Sequence, residues 1–396
     1  MFKAIKVCEN VYWVGVHDFN VRDFHGSLFP IDEGSSYNAY LVIDDEITLF
    51  DTVEDEFYDQ MMQRIKSVIG DKKIDNLIVQ HTEPDHSGGF LKFMETYPEA
   101  KVYASASGAT NMLKQYFKQY DFIKVKTNDT INTGKYDFVF VEMPMIHWPD
   151  NMLTYMVQEK VVFSNDAFGQ HVVSYQIFDE QHELALLLDK AKDYYANIVM
   201  PYNLQVANKL KQILAMNLEI DYIAPAHGII WHKYIPQIIE AYQSYSSNAT
   251  KNKAVIVYDS VWNHTDEMAH ALAEGFGQGG MEVKLYKVSK TSPAIILKEL
   301  LDAEVVMVGS GNYNNFMAPS VAAFLEKLAS CKVKNKKGLA FGSYGWANVV
   351  TKQISERLKT AGIALLEEQP LSQNYTPSEN DLENLYQFAY NYATNK

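Results

Sequence analysis

From residue 254 onward the chain alternates between two kinds of run, and this alternation limits its fold more than any other feature. Short apolar, β-branched runs ("AVIVYDS", "EVKLYKV", "EVVMVGSG", "KGLAFGS", "ALLEEQP") are each followed by a stretch of helical period, at 265–277, 293–302, 319–329, 348–361 and 377–392. Five strands separated by five helices predict a doubly wound parallel sheet with helices on its two faces.

The first part reads differently. Strand-like runs such as "NAYLVIDDEITLFD", "KVYAS", "YDFVFVEMP", "LTYMVQ", "KVVFSND" and "YIAPAHG" dominate it, with helical stretches at 55–69, 108–119 and 203–217. That pattern predicts layered sheets covered by helices. Between the two parts lies "QSYSSNATKNK", residues 243–253, small, polar and charged. We place the boundary there, giving domains 1–250 and 251–396.

Bulk properties exclude several classes. Lys+Arg 35 against Asp+Glu 49 leaves a net charge of −14, which disfavours nucleic acid or an anionic membrane as partner. No run approaches the roughly 20 apolar residues of a membrane span, and "MFKAIKVCENVYWVGV" shows no signal-peptide pattern. Cys8 and Cys331 are the only cysteines, too few for a disulfide framework or a C-x-x-C metal knuckle. A cytoplasmic location is expected.

Within the first part, "QHTEPDHSGG" holds His81, Glu83, Asp85 and His86 within six positions, just after the strand-like "KIDNLIVQ". Side chains two apart in an extended segment share a face, so His81, Glu83 and Asp85 are expected to converge, with His86 turned to a neighbour. Such a loop suits two adjacent metal ions better than one. His147, Asp166 and His227 also end strand-like runs. The seven residues can give each of two metals three terminal ligands, with one carboxylate bridging. His171, His182, His232 and His270 lack this context and are read as surface or packing residues.

The set His81-x-Glu83-x-Asp85-His86, then His147, Asp166 and His227, resembles the metallo-β-lactamase fold in its flavodiiron version. Hydrolases of that fold usually read His-x-His-x-Asp-His and hold zinc. Here Glu83 replaces the middle histidine, adding negative charge and hard oxygen, which favours oxidised iron. The resemblance implies an αββα sandwich in which His81, Glu83 and His147 hold one iron, Asp85, His86 and His227 the other, and Asp166 bridges. It also implies pocket roles for His25, in "RDFHGSLFP", and Tyr194, in "KDYYANIV".

In the second part, the loop Ser260, Val261, Trp262, Asn263, His264 and Thr265 runs from a strand end into a helix N-terminus, a site for a phosphate dianion. It lacks the G-x-G-x-x-G of dinucleotide sites, so a mononucleotide fits better. Two later strand ends offer Asn312, Tyr313, Asn314 and Asn315, then Ser343, Tyr344, Gly345 and Trp346, with aromatic faces for an isoalloxazine. This part resembles flavodoxin, with Asn312 standing where many relatives carry a Pro-Thr-type turn.

Together the two resemblances cover essentially the whole chain and match the flavodiiron family. They imply FMN and two non-haem irons, and an oxidoreductase taking dioxygen to water, nitric oxide to nitrous oxide, or both. They imply a separate electron donor (a rubredoxin, a flavin reductase or reduced deazaflavin) and a head-to-tail homodimer or dimer of dimers. Two alternatives share parts of the pattern. A zinc-dependent hydrolase would share the fold but not Glu83 or the flavin loops, and a pure electron carrier would leave seven ligands unexplained.

Overall fold

The computed structural model describes residues 2–26, 29–118 and 120–395. The chain divides into two compact units, the first comprising Met1–Phe24, Ile31–Tyr194 and Leu204–Gln243, the second His25–Pro30, Tyr195–Asn203 and Ser244–Lys396.

The first unit contains two sheets. One has seven strands in the order Ile5–Cys8, Val11–Trp13, Tyr40–Val42, Thr48–Phe50, Asn76–Val79, Lys101–Ser105, Phe122–Val125. The other has five, in the order Thr130–Asn132, Asp137–Glu142, Met152–Met156, Val161–Asn165, Tyr222–Pro225. Several strands are apolar without alternation, as "NLIV" and "VVFSN", and are buried on each face. The core between the sheets is aromatic: Phe50 stacks on Phe163 with centroids 4.0 Å apart and meets Phe138 at 5.4 Å. Residues 58–69 form a helix that buries Met61, Met62, Ile65 and Ile69, the 3.6-period face legible in the sequence.

The parallel strands matter most for function, because their C-terminal ends lie together. Thr48–Phe50 pairs parallel with Asn76–Val79, and that strand with Lys101–Ser105. Val161–Asn165 pairs parallel with Tyr222–Pro225. The segments leaving these ends carry Asp51, His81, Asp166 and His227.

The second unit is a parallel sheet in the order Glu282–Lys287, Lys251–Asp259, Ala303–Ser310, Lys337–Tyr344, with Ala364–Leu365 and Leu371–Asn374 each pairing with Lys337–Tyr344. In sequence order this is 2-1-3-4-5, the flavodoxin-like doubly wound arrangement. Helices His264–Gln278 and Glu379–Thr394 pack together over one face. Their approach depends on Gly275, where a Cβ would stand 2.2 Å from the Tyr386 carbonyl oxygen.

Three details depart from the sequence reading. The fifth strand is broken: "ALLEEQP" pairs only through Ala364–Leu365, and the chain rejoins the sheet at Leu371–Asn374. Helix Ile235–Ser246 and strand Lys251–Asp259 take up most of 243–253, leaving 247–250 as the connection. The helix read as 108–119 runs Ala106–Tyr116, and position 119 lies outside the described residues. Among the described residues no helix is long and apolar enough to cross a membrane.

Candidate metal centre and cleft

Strand Asn76–Val79 ends just before Gln80, and Pro84 then starts a short helix, Pro84–Ser87, with Glu83 as its N-cap residue. Proline is well suited to that first helical position. The helix overturns the expectation that His81, Glu83 and Asp85 share one face. The extended alternation stops at Glu83, and the turn carries Asp85 round to the side of His86.

Two sets of donor atoms result: His81, Glu83, His147 and Asp166 in one, Asp85, His86 and His227 in the other. In the first, His81 Nε2 lies 3.2 Å and His147 Nε2 3.3 Å from Glu83 Oε2. In the second, Asp85 Oδ2 lies 3.3 Å from His86 Nε2 and 3.2 Å from His227 Nε2. Asp166 stands between them. Its Oδ2 is 3.2 Å from His147 Nε2 and 3.5 Å from His81 Nε2, while its Oδ1 is 3.0 Å from His86 Nε2 and 3.6 Å from His227 Nε2.

These groups suit metal ions better than one another. The carboxylate oxygens of Asp85 and Asp166 and both ring nitrogens of His86 are buried without a hydrogen-bond partner, a costly arrangement unless something else satisfies them. Burial lowers the pKa of His81 and His147, but Asp150, Glu83 and Asp166 outweigh it and raise both to about 10. Burial opposes the charge on Asp166, but His86, His147 and His81 outweigh it and hold the carboxyl well below the usual carboxylate range. The donor set, four imidazoles and three carboxylates, is that of a pair of redox-active or hard divalent metals.

A buried polar network ties the ligand segments together. Asp51 accepts from Gln80 N at 2.7 Å, fixing the residue before His81, and from Asn165 Nδ2 at 3.1 Å, fixing the residue before Asp166. Asn151 donates to Asn165 Oδ1 at 3.1 Å and accepts from Trp148 N at 2.6 Å, which holds the His147 segment. Asp51 and Asn165 have left-handed backbones, φ 56° and 51°, an uncommon conformation for such residues. His227 leans its Nδ1 on the Ser36 carbonyl at 2.8 Å.

His171, read from the sequence as a surface or packing residue, is a packing residue beside the metal ligands. It is buried, bonded through Nδ1 to Ser35 Oγ at 2.7 Å, with its ring 5.2 Å from that of His227 and 5.1 Å from that of Tyr194. Its position five residues after Asp166, in "DAFGQH", was the available signal. Tyr194 is buried 6.0 Å from the His227 ring, and burial pushes its hydroxyl pKa well up, so it stays neutral. His25 is exposed, with φ 54°, in the segment grouped with the second unit, while Phe24 beside it packs its ring over His171 and His227.

In the second unit the predicted loops meet at a cleft of about 530 Å³. Ser260, Val261, Trp262, His264, Thr265, Asn312, Tyr313, Ser343, Tyr344, Gly345 and Trp346 line it. Asn263, Asn314 and Asn315 are not among the lining residues. They shape the turns instead, all three with left-handed backbone. Asp259, Gly311, Tyr375 and the segment Ala318, Pro319 and Ser320 also line the cleft and were not anticipated. Trp262, Tyr313, Trp346 and Tyr375 stand more than half exposed there, apolar faces that a planar ring would cover. Thr265 is buried at the start of helix His264–Gln278, where free N–H groups favour phosphate. The Asp259 carboxylate is engaged by Ser260 N, Ser289 and Ser320.

Comparison with known proteins agrees with each unit. The family model for ODP family beta lactamase matches residues 36–228, and that for flavodoxin matches 256–388. A nitric oxide reductase of Moorella thermoacetica is 43% identical over 389 residues, covering 98% of this chain and 97% of that protein. The chain belongs to the flavodiiron protein family. Among solved structures, the rubredoxin oxygen:oxidoreductase from Desulfovibrio gigas superposes with a TM-score of 0.96 at 36% identity, covering 99% of this chain and 98% of the other. The flavodiiron protein from Giardia intestinalis gives 0.95 at 28% identity, covering 99% and 96%. As a flavodiiron protein the chain is an oxidoreductase, with a metallo-β-lactamase-like unit bearing a diiron-type ligand cluster and an FMN-binding, flavodoxin-like unit.

Proposed function

We propose that this flavodiiron protein reduces dioxygen to water, nitric oxide to nitrous oxide, or both, with electrons that reach a non-haem iron pair through FMN. The observation that carries the reading is Asp166 standing between two three-residue donor sets, one of which contains Glu83. Similarity to a nitric oxide reductase and to a rubredoxin oxygen:oxidoreductase supports both substrates.

When bound, two ferrous ions and one reduced flavin supply four electrons, enough to take one dioxygen to two waters, or twice what joins two nitric oxides into nitrous oxide and water. The chain's own residues place and tune these groups. His81, Glu83 and His147 are assigned to one iron, Asp85, His86 and His227 to the other, and Asp166 to the bridge. Three carboxylates in one pocket favour the ferric state over zinc. Tyr194, neutral at physiological pH, is a hydroxyl donor beside His227 and His171. His25 is given a pocket role on the family resemblance alone.

The cleft loops, Ser260 to Thr265, Asn312 to Asn315 and Ser343 to Trp346, are assigned to FMN, its phosphate at Thr265. Domains 1–250 and 251–396 are the units we expect to fold on their own. We further propose a separate donor (a rubredoxin, a flavin reductase or reduced deazaflavin), a head-to-tail homodimer or dimer of dimers, and a cytoplasmic location.

The test is anaerobic reduction of purified, iron-loaded protein, followed by parallel rates with dioxygen and nitric oxide and analysis of metal and flavin. Iron, FMN and turnover with either gas support the proposal. Zinc with hydrolase activity, or FMN without metal, would replace it with one of the two alternatives.

A further inference from the structure

Asp150 lies outside every set of metal donors, yet its carboxylate is among the most constrained in the molecule. Oδ2 accepts from Thr82 N at 2.8 Å and Thr82 Oγ1 at 2.8 Å, and lies 3.0 Å from His81 Nδ1. Its side chain and that of His81 are wholly buried, and its Oδ1 has no hydrogen-bond partner. Ser105 Oγ donates to the Asp150 carbonyl at 2.9 Å, fixing the backbone. Thr82 is itself held, since Asn111 Nδ2 donates to its hydroxyl at 3.3 Å.

Chemistry decides which ring nitrogen carries the proton. An ionised carboxylate only accepts, so Nδ1 of His81 is the donor, and its Nε2, which faces Glu83 and Asp166, is the nitrogen that would offer a lone pair once a metal displaces its proton. A buried carboxylate pulling on Nδ1–H raises the electron density at Nε2. In the other set, His227 rests its Nδ1 on a neutral acceptor, the Ser36 carbonyl. The two halves of the centre are otherwise matched, each with two imidazoles, one carboxylate of its own and one oxygen of Asp166.

We propose that Asp150 is a positioning residue that makes the two irons unequal, so that the iron of His81, Glu83 and His147 is held more tightly and stays ferric when the pair accepts its first electron. The inference rests on the diiron reading above. With iron bound, Asp150 would favour the ferric state at the set of His81, Glu83 and His147, so that the first electron delivered through FMN would reside at the set of Asp85, His86 and His227. Asp150 neither gains nor loses a proton in that transfer. The order matters because an incoming electron then enters at a defined end of the pair.

The experiment uses the full chain, stripped of metal and titrated with ferrous iron without oxygen, then reoxidised and followed by mediated reduction with dithionite and by Mössbauer spectra of added ⁵⁷Fe. In Asp150→Asn one of the two binding steps should weaken by roughly 10- to 100-fold while the other holds. The potential of the second electron, the one that enters the iron of His81, should rise, and the Mössbauer signal of one iron should change. Thr82→Val removes one of the donors that share Oδ2 and frees the carboxylate to pull harder on His81, so it should shift the potential the opposite way. A residue with only a packing role would not give opposite signs.

Equal weakening of both steps, or an unmoved potential in both variants, overturns the inference. If Asp150→Asn fails to fold, Thr82→Val alone decides by the sign of its shift. Failure of the wild-type chain to bind a pair of irons would instead overturn the diiron reading, and so the two failures are distinguishable.

Discussion

Asp166 presents different oxygens of one carboxylate to histidines of different sets, with Oδ1 3.0 Å from His86 Nε2 and Oδ2 turned to His147. The relationship separates two kinds of ligand loss. Asp166→Ala removes a donor from each half and should abolish binding of both irons. His86→Ala, which removes a donor from one half, should leave the other loaded. Iron analysis after anaerobic loading checks this, and equal iron content in the two variants would contradict a shared Asp166.

The metal-free chain should lose stability as pH rises. His81 and His147 are raised to about 10 and His86 to about 9; burial opposes the charge at each, and adjacent carboxylates outweigh it. A histidine whose pKa is higher folded than unfolded stabilises fully below about 6.5, and the contribution fades as pH climbs through the folded value. The thermal midpoint of chelator-treated protein should therefore fall between about pH 6.5 and pH 10. Iron binding must displace those protons, so affinity for iron should run the other way and improve with pH. A flat midpoint over that window would mean that the imidazoles are neutral without metal.

Thr265→Glu should strip FMN and leave iron content intact. Thr265 is buried at the helix start that faces the cleft, and a carboxylate there meets the phosphate's charge directly. Roughly 10- to 100-fold weaker FMN binding, about 1.4–2.8 kcal/mol, is expected, read from flavin fluorescence on titration of the flavin-free protein. Unchanged affinity would move the phosphate elsewhere in the cleft.

Phe50→Ala should cost about 3–5 kcal/mol, because Phe50 is fully buried between the sheets of the first unit against Phe163 and Phe138. Denaturant unfolding followed by near-ultraviolet circular dichroism gives the number. A loss below about 1 kcal/mol would show that the two sheets close over the gap.

The ligands were legible because each sits where a local pattern ends: His81, Asp166 and His227 follow apolar runs that could only be strands. The side each faces was not legible, since Pro84 converts an extended loop into a helical turn and carries Asp85 away from Glu83. Asp51 and Asp150 were missed for another reason. Their roles depend on partners 114 and 69 residues away, and nothing in "LFD" or "WPD" signals that distance. In the second unit the alternation gave the sheet order's raw material, but the break between Ala364–Leu365 and Leu371–Asn374, which brings in Tyr375, leaves no mark in hydropathy.

The His227–Ser36 contact spans 191 residues, nearly the whole length of the first sandwich. A pairing so distant in the chain closes late in folding. While the chain is being synthesised, Asp85 and His86 exist long before His227 does, and an iron ion arriving then finds too few ligands to stay. Loading of the set of Asp85, His86 and His227 must follow arrival of its last ligand, whereas the set of His81, Glu83, His147 and Asp166 is complete in the chain by residue 166. Until then, imidazolium and carboxylate groups on neighbouring ligands attract one another, so the empty pocket is held by the charges that will later bind metal.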